Sequence, residues 1–262
     1  MRVALVHDYL NQYGGAERVL EAFCEMFPQA PIYTLVYDAK LTGFAFEGRT
    51  IKTSFLQKMP FAASRHRYFP IFMPYAIEQL DLSGYDLVIS DSGSYAKGII
   101  TKPQTLHISY CHTPHRYAWD NSNKLIGEFK YPKIIKAIGP LFMTYVRIWD
   151  AQAADRADAF IANSEFVARR IKKYYGREAT VIYPPVNAGR FYTGHTASNI
   201  GEARPEADYF LMVGRMVPYK KFSLAIEVFN RLGFKLKVIG DGPERKNLEK
   251  SARSNIEFLG LV

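Results

Sequence analysis

Val213-Gly214-Arg215-Met216-Val217-Pro218-Tyr219-Lys220-Lys221 follows one apolar run, and Val238-Ile239-Gly240-Asp241-Gly242-Pro243-Glu244 follows the next. Each reads as a strand running into a loop and then into a helix. Around them lie a strand from Tyr209 to Val213, a helix from Lys220 to Leu232, a strand from Lys235 to Ile239, a helix from Glu244 to Ala252 and a strand from Ile256 to Leu259. That is a βαβαβ unit, half of a doubly wound domain. One junction carries cations and the other glycines, the parts with which such loops hold a diphosphate.

The same alternation runs back to the start. Val3 to Val6 reads as a strand, and Ala16 to Phe27 as a helix with Val19, Leu20, Phe23 and Phe27 on one face. Strands are predicted at Pro31–Val36, Leu87–Ser90, Gly98–Ile100, Leu106–Tyr110, Ala159–Ala162 and Thr180–Ile182. Helices are predicted at Arg65–Leu80, where Pro70 and Pro74 interrupt, at Lys133–Arg156, and at Glu165–Tyr175, capped by Ser164. Short apolar strands separated by helices predict a parallel sheet covered on both faces. From His195 to Pro205 the residues are small and polar, an exposed connection.

Bulk properties narrow the class. Of the 262 residues, 48% are hydrophobic and 23% charged, the balance of a globular chain with a packed core. The polar start at His7-Asp8 does not suit a signal peptide. The apolar stretch from Ile134 to Trp149 carries Lys136 and Arg147 and is shorter than the ~20 residues of a spanning helix. These features predict a cytoplasmic protein. Cys24 and Cys111 read as buried thiols, and no Cys/His spacing suggests a metal. A net charge of +9 favours an anionic partner. Zinc-finger, homeodomain and RNA-recognition patterns are absent.

Several residues stand where ligands bind. Gly14-Gly15-Ala16-Glu17 joins the first strand to the first helix; it is either a tight turn or a loop that lets backbone N–H groups approach an anion. It is not G-x-G-x-x-G, so a nicotinamide cofactor is poorly supported. Arg215 and Lys220 come from one loop and can converge on one anion; otherwise they are solvated cations at a helix start, where the dipole disfavours them. His112 closes a strand, with Arg116 and Trp119 following; it is either a hydrogen-bonded structural histidine or a group facing ligand.

Six stretches then occur in order: Gly14–Glu17, Cys111-His112-Thr113-Pro114-His115-Arg116-Tyr117, Asn163-Ser164-Glu165-Phe166-Val167, Val181-Ile182-Tyr183-Pro184-Pro185-Val186, Gly214–Lys220, and Gly240-Asp241-Gly242-Pro243. Together they resemble the retaining nucleotide-sugar glycosyltransferases of the GT-B fold, family four, and within it bacterial mannosyltransferases of surface-polysaccharide assembly. The resemblance covers nearly the whole chain. It implies a GT-B-like α/β fold with one complete Rossmann-like domain on the acceptor side (1–194), a linker (195–207) and a partial second Rossmann-like domain that binds the donor (208–262). The active site is then expected in the cleft between the domains.

By the same resemblance His112 is the catalytic-site histidine beside the donor sugar. Gly14, Gly15, Arg215, Lys220, Gly240 and Gly242 belong to donor binding, and Arg116 and Trp119 to the acceptor side. No metal and no cofactor are expected; GDP-mannose is the co-substrate and a lipid-linked or oligosaccharide chain the acceptor. Family members continue past the position of Val262 with a Glu-x7-Glu motif that holds sugar and ribose. The expectation is therefore a chain cut within its second domain and impaired in transfer: a truncated gene product, a partial chain, or a fragment whose missing segment is supplied elsewhere. A non-catalytic remnant that binds nucleotide sugar or acceptor is the alternative. A nucleic-acid binder is disfavoured, because Tyr68, Phe69, Phe72 and Tyr75 read better as core or membrane-facing packing than as a stacking platform. Arg65-His66-Arg67-Tyr68-Phe69, with Lys130, Lys133 and Lys136, is read either as a peripheral contact with anionic lipid or as buried aromatics beside solvated cations.

Overall fold

The computed structural model describes residues 1–65, 69–120, 133–186 and 209–261. The chain divides into two compact units, Met1–Asn187 and Ala188–Val262. The linker expected at 195–207 lies outside the described residues.

The first unit is a seven-stranded parallel sheet. In chain order its elements are β1 (Val3–His7), α1 (Gly15–Met26), β2 (Ile32–Thr34), β3 (Ile51–Thr53), α2 (Ala62–Arg65), α3 (Met73–Glu78), β4 (Leu87–Ser92), β5 (Leu106–Cys111), α4 (Arg116–Trp119), α5 (Lys133–Ala154), β6 (Ala159–Ala162), α6 (Glu165–Tyr175) and β7 (Thr180–Val181). The strands lie in the order β3-β2-β1-β4-β5-β6-β7. Order reverses between β1 and β4, so the switch point, where ligands bind in such sheets, lies beside the end of β1.

Alternation along β1 fills both faces. Leu5 packs with Leu20 and Cys24 of α1 and with Leu87 and Ile89 of β4. Ala4 and Val6 pack on the other face with Met73 and Ile77 of α3 and Trp149 of α5. Side chains of this size each stabilise the fold by about 1.5–3 kcal/mol when fully buried. Cys24 and Cys111 are buried free thiols, as expected.

In this unit two sequence expectations need correction and one strand went unread. Gly98 to Ile100 is not a strand: Ala96–Gly98 is a 3₁₀ turn. The Asp8 carboxylate takes the N–H groups of Gly93, Tyr95 and Ala96 at 2.6–2.7 Å, which curls the chain. Gly98 is then a packing residue, since a Cβ there would sit 2.4 Å from the Trp149 ring. The single aromatic helix expected over 65–80 is instead two short ones, α2 and α3, with 66–68 outside the described residues. Pro74 stands in the first turn of α3, where its missing N–H costs little. The edge strand β3 escapes notice because three residues with a central exposed lysine carry no hydrophobic period.

The second unit is a parallel sheet of β8 (Phe210–Val213), β9 (Leu236–Ile239) and β10 (Ile256–Gly260), ordered β10-β9-β8, with α7 (Phe222–Leu232) and α8 (Arg245–Ser251). Its core is Met216, Phe222, Ile226, Leu236, Val238, Leu248 and Ile256. Leu211 and Val213 of β8 are 55% and 64% exposed, so among the described residues part of this sheet has an uncovered apolar surface. The helix expected from Lys220 starts two residues later: Pro218–Lys220 is a 3₁₀ turn and Lys221 adopts left-handed φ of 56°.

Candidate functional site

In the first unit the switch point collects charge. Register places His7, the last residue of β1, directly beside Asp91 of β4. His7 Nδ1 donates to Asp91 Oδ2 at 2.8 Å. His112, one residue past β5, donates from Nε2 to Asp91 Oδ1 at 2.6 Å, since a carboxylate can only accept. One carboxylate thus holds two imidazole rings. The other nitrogen of His7, Nε2, lies 3.6 Å from Glu17 Oε1 in the first turn of α1.

These groups shift one another. Burial alone would lower the His7 pKa, but the hydrogen bonds and charges of Asp91 and Glu17 outweigh it and raise the value to about 10. Burial would raise Asp91, yet His112 and His7 hold it below its usual range. Burial would likewise raise Glu17, and His7 with local hydrogen bonds lowers it. His7, Asp91 and Glu17 are all buried, whereas the His112 side chain is 15% exposed. The network therefore presents one ring edge outward from a sealed ionic base.

Glu17 also shapes the loop above. Its Oε2 accepts from Gly14 N–H at 2.8 Å, and Gln12 Nε2 donates to its Oε1 at 3.2 Å. A Cβ on Gly14 would lie 3.2 Å from that carboxylate, whereas one on Gly15 would meet nothing within 4 Å. Gly14 makes way for Glu17, and Gly15 leaves open space over the loop.

The backbone of His112 is pinned from the next strand. Asn163 Nδ2 donates to the His112 carbonyl at 3.1 Å, while the Ser164 hydroxyl caps α6 at Val167 N–H, 3.3 Å. Of the residues after His112, His115 is buried and caps α4; burial holds its pKa below the ordinary range. Arg116 is exposed. Trp119 is committed to packing: its Nε1 donates to Asp150 at 2.7 Å and its ring stacks on Tyr174. Asp150 is fully buried, ion-paired with Lys97 and bonded by the Tyr175 hydroxyl. Sequence reasoning singled out His112 and quoted Glu17 only as the end of the glycine stretch, and it missed His7 and Asp91. Their only signal was a polar residue at the end of each of two apolar strands.

The second unit holds the other candidates on two laced loops. Gly214 N–H donates to Ile239 O and Met216 N–H to Asp241 O, both at 2.9 Å. A Cβ on Gly240 would fall 2.0 Å from the Gly214 carbonyl oxygen, and one on Gly242 2.4 Å from that of Met216. Both glycines are thus required by loop–loop contact. The lacing holds out Arg215 and Lys220, both exposed, ahead of α7. That helix has no acidic residue in its first turn and no side-chain cap. Glu249 and Glu257 happen to be spaced as Glu-x7-Glu, but Glu249 is bound to Arg245 on α8 and Glu257 lies on β10 near Lys237. They sit on different elements, each with its own cation.

Among the described residues no group of three or more His, Cys, Asp or Glu is placed to hold a metal ion. No helix among them is long and apolar enough to cross a membrane.

Comparison with known proteins gives the fold and the family of the chain. An uncharacterized glycosyltransferase of Methanocaldococcus jannaschii is 24% identical over 99% of this chain, which spans 66% of that relative's length. Anabaena HepE, solved in complex with UDP, superposes with a TM-score of 0.65 at 16% identity, over 100% of this chain and 70% of HepE. The lipopolysaccharide outer core galactosyltransferase WaaB, in its apo form, gives 0.54 at 17% identity, over 100% of this chain and 68% of WaaB. At these identities the likeness is one of fold, and the fold is GT-B-like α/β. The family model of Glycosyltransferase Family 4 matches residues 13–190, from the glycine loop past β7, and the chain belongs to that family.

Proposed function

We propose that this chain binds a nucleotide sugar and carries most of a retaining glycosyltransferase that moves a hexose, mannose from GDP-mannose, onto a lipid-linked or polysaccharide acceptor. The observation that carries the reading is the His112 ring, fixed by Asp91 at the switch point of a family-four sheet. In this reading His112 faces the donor sugar, and Gly15 leaves room for the phosphates. Arg215 and Lys220 take the diphosphate in the second unit, with Gly240 and Gly242 shaping their loop. Two cations ahead of an uncapped helix start would stabilise the leaving diphosphate as charge develops on it. The reaction needs no metal or cofactor beyond the co-substrate. Gly14 serves the loop through Glu17, and Arg116 and Trp119 border the acceptor side.

GDP and mannose rest on the sequence resemblance alone, and the UDP complex of Anabaena HepE makes a uridine donor the competing outcome. Calorimetry with GDP-mannose, GDP, UDP-glucose and UDP decides between them. Binding of the guanosine pair alone supports the reading, and binding of the uridine pair alone transfers it to a UDP-sugar. Failure of all four leaves the non-catalytic acceptor-binding alternative.

We also propose a peripheral lipid contact near α2 and α3. Phe69 packs against the core, but Phe61 is 72% and Tyr75 55% exposed, with Ile71 and Phe72 exposed between them. Exposed aromatics beside a basic stretch suit an anionic bilayer surface. Sedimentation with anionic but not neutral vesicles is the expected result; equal binding to both would reject it.

A further inference from the structure

The molecule contains its own control for His7. His107, on β5, is also fully buried. Its ring meets the Ser90 hydroxyl at 2.8 Å and the Arg156 carbonyl at 3.3 Å, both uncharged partners. Burial dominates there and lowers the His107 pKa to about 4, so that ring is neutral. His7 sits on the same sheet but has a carboxylate at each nitrogen. A neutral imidazole has one N–H and could serve only one of them.

We propose that His7 is a positioning residue: clasped between Glu17 and Asp91, it sets the Gly14–Gly15 loop and the ring of His112 as one unit. The chain of contacts is continuous. Gly14 N–H reaches Glu17 Oε2 at 2.8 Å, and Glu17 Oε1 faces His7 Nε2 at 3.6 Å. His7 Nδ1 holds Asp91 Oδ2 at 2.8 Å, and Asp91 Oδ1 holds His112 Nε2 at 2.6 Å. Four elements contribute, namely β1, the first turn of α1, β4 and the residue after β5, and no ionisable group of the chain of contacts other than His112 reaches solvent.

The electrostatics explain why one residue controls both ends. A buried carboxylate with no cation beside it is driven toward its neutral acid, which accepts less well and can donate in the wrong direction. Protonated on both nitrogens, His7 keeps Asp91 and Glu17 ionised together. Asp91 then accepts from His112 through Nε2–H, which fixes Nε2 as the protonated nitrogen and holds the ring in place. Glu17 in turn keeps Gly14 N–H, which holds the loop with Gly15 clear. The inference rests on the reading of His112 and the glycine loop as sugar and phosphate contacts, but its test does not depend on transfer.

The experiment is imidazole ¹⁵N–¹³C correlation spectroscopy of the full 262-residue chain at pH 8, with amide exchange. In the wild type both ring nitrogens of His7 are expected to be protonated, His107 neutral, and His112 a single Nε2–H tautomer. A singly protonated His7 at pH 8 would overturn the proposal without any variant. In His7→Gln, His112 is expected to populate both tautomers and Gly14 N–H to exchange at least tenfold faster, while Leu5 and Val88 amides keep their protection. Asp91→Asn should disturb His112 alone, and Glu17→Gln should disturb Gly14 alone. A His7→Gln chain that keeps core protection, one His112 tautomer and slow Gly14 exchange would overturn it. If both remote effects appear and GDP-mannose affinity is unchanged, the coupling stands and the donor reading of this loop falls.

Discussion

The β1–α1 and β8–α7 junctions have the same topology and opposite charge logic. Each is a parallel strand that ends in a loop and starts a helix. At β1–α1 the helix start is answered from within: Glu17 takes Gly14 N–H, and His7 beneath lies between Glu17 and Asp91. At β8–α7 nothing acidic stands in the first turn, and Arg215 and Lys220 are exposed ahead of it. The glycines differ in kind too. Gly15 leaves empty space, while Gly240 and Gly242 are pressed against neighbouring backbone. A helix start closed by its own carboxylate is suited to orienting a ligand; one that carries two exposed cations is suited to holding an anion.

The glycines give the largest test of this contrast. Gly240→Ala must move the Gly214 backbone and strain a residue at φ of +132°, and should cost about 3 kcal/mol or more. Amide protection over 209–261 reads it; a cost below about 1 kcal/mol would show that the lacing of the two loops is slack.

The response to pH should come next. The stability that His7 contributes is fully present below its ordinary value near 6.5 and is lost as pH rises through about 10. Asp91 and Glu17, held low, contribute stability that is present above the ordinary carboxylate range and lost on acidification. Both tryptophans, Trp119 and Trp149, lie in the first unit, so their fluorescence reports its unfolding alone. Denaturation midpoints should fall on both sides of neutrality. A flat profile from pH 7 to 10 would mean that His7 is not a cation in the fold.

Under the proposed function, binding should separate the two junctions. A hydrogen bond to a charged group is worth roughly 1.5–3 kcal/mol, so Arg215→Ala should weaken GDP-mannose binding at least tenfold. His112→Ala should leave nucleotide affinity within about threefold and lower turnover in a transfer-competent form. Equal losses in the two variants, by calorimetry, would erase the division of labour. The smallest effect is Gly15→Ala, at a helical position with room for a methyl group. It should stabilise the first unit by about 0.5–1 kcal/mol. Its GDP-mannose affinity should nevertheless fall; a gain in both would show that no ligand uses that space.

Much of this was legible in the residues. The helix at Glu165–Tyr175, with Ser164 as its cap, was placed to the residue, and the long helix read over Lys133–Arg156 ends within two residues of the observed Lys133–Ala154. Strands β1, β4, β5 and β6 declared themselves as short apolar runs. Gly98 did not declare itself, because its role depends on Trp149, some fifty positions later in the chain. Phe72 and Tyr75 could be read as core or surface, and only packing decided that they are exposed.

The sequence by itself determined the parallel α/β alternation, the cationic loop after β8 and the candidacy of His112. Those depend on local periodicity and on residue type at strand ends. Tertiary structure alone decided that His7 and Asp91, 84 positions apart, lie side by side. It also decided that Gly240 fits only because another loop crosses it. Strand register and loop crossing are long-range facts: they follow from which strands pair, and no window of sequence contains both partners.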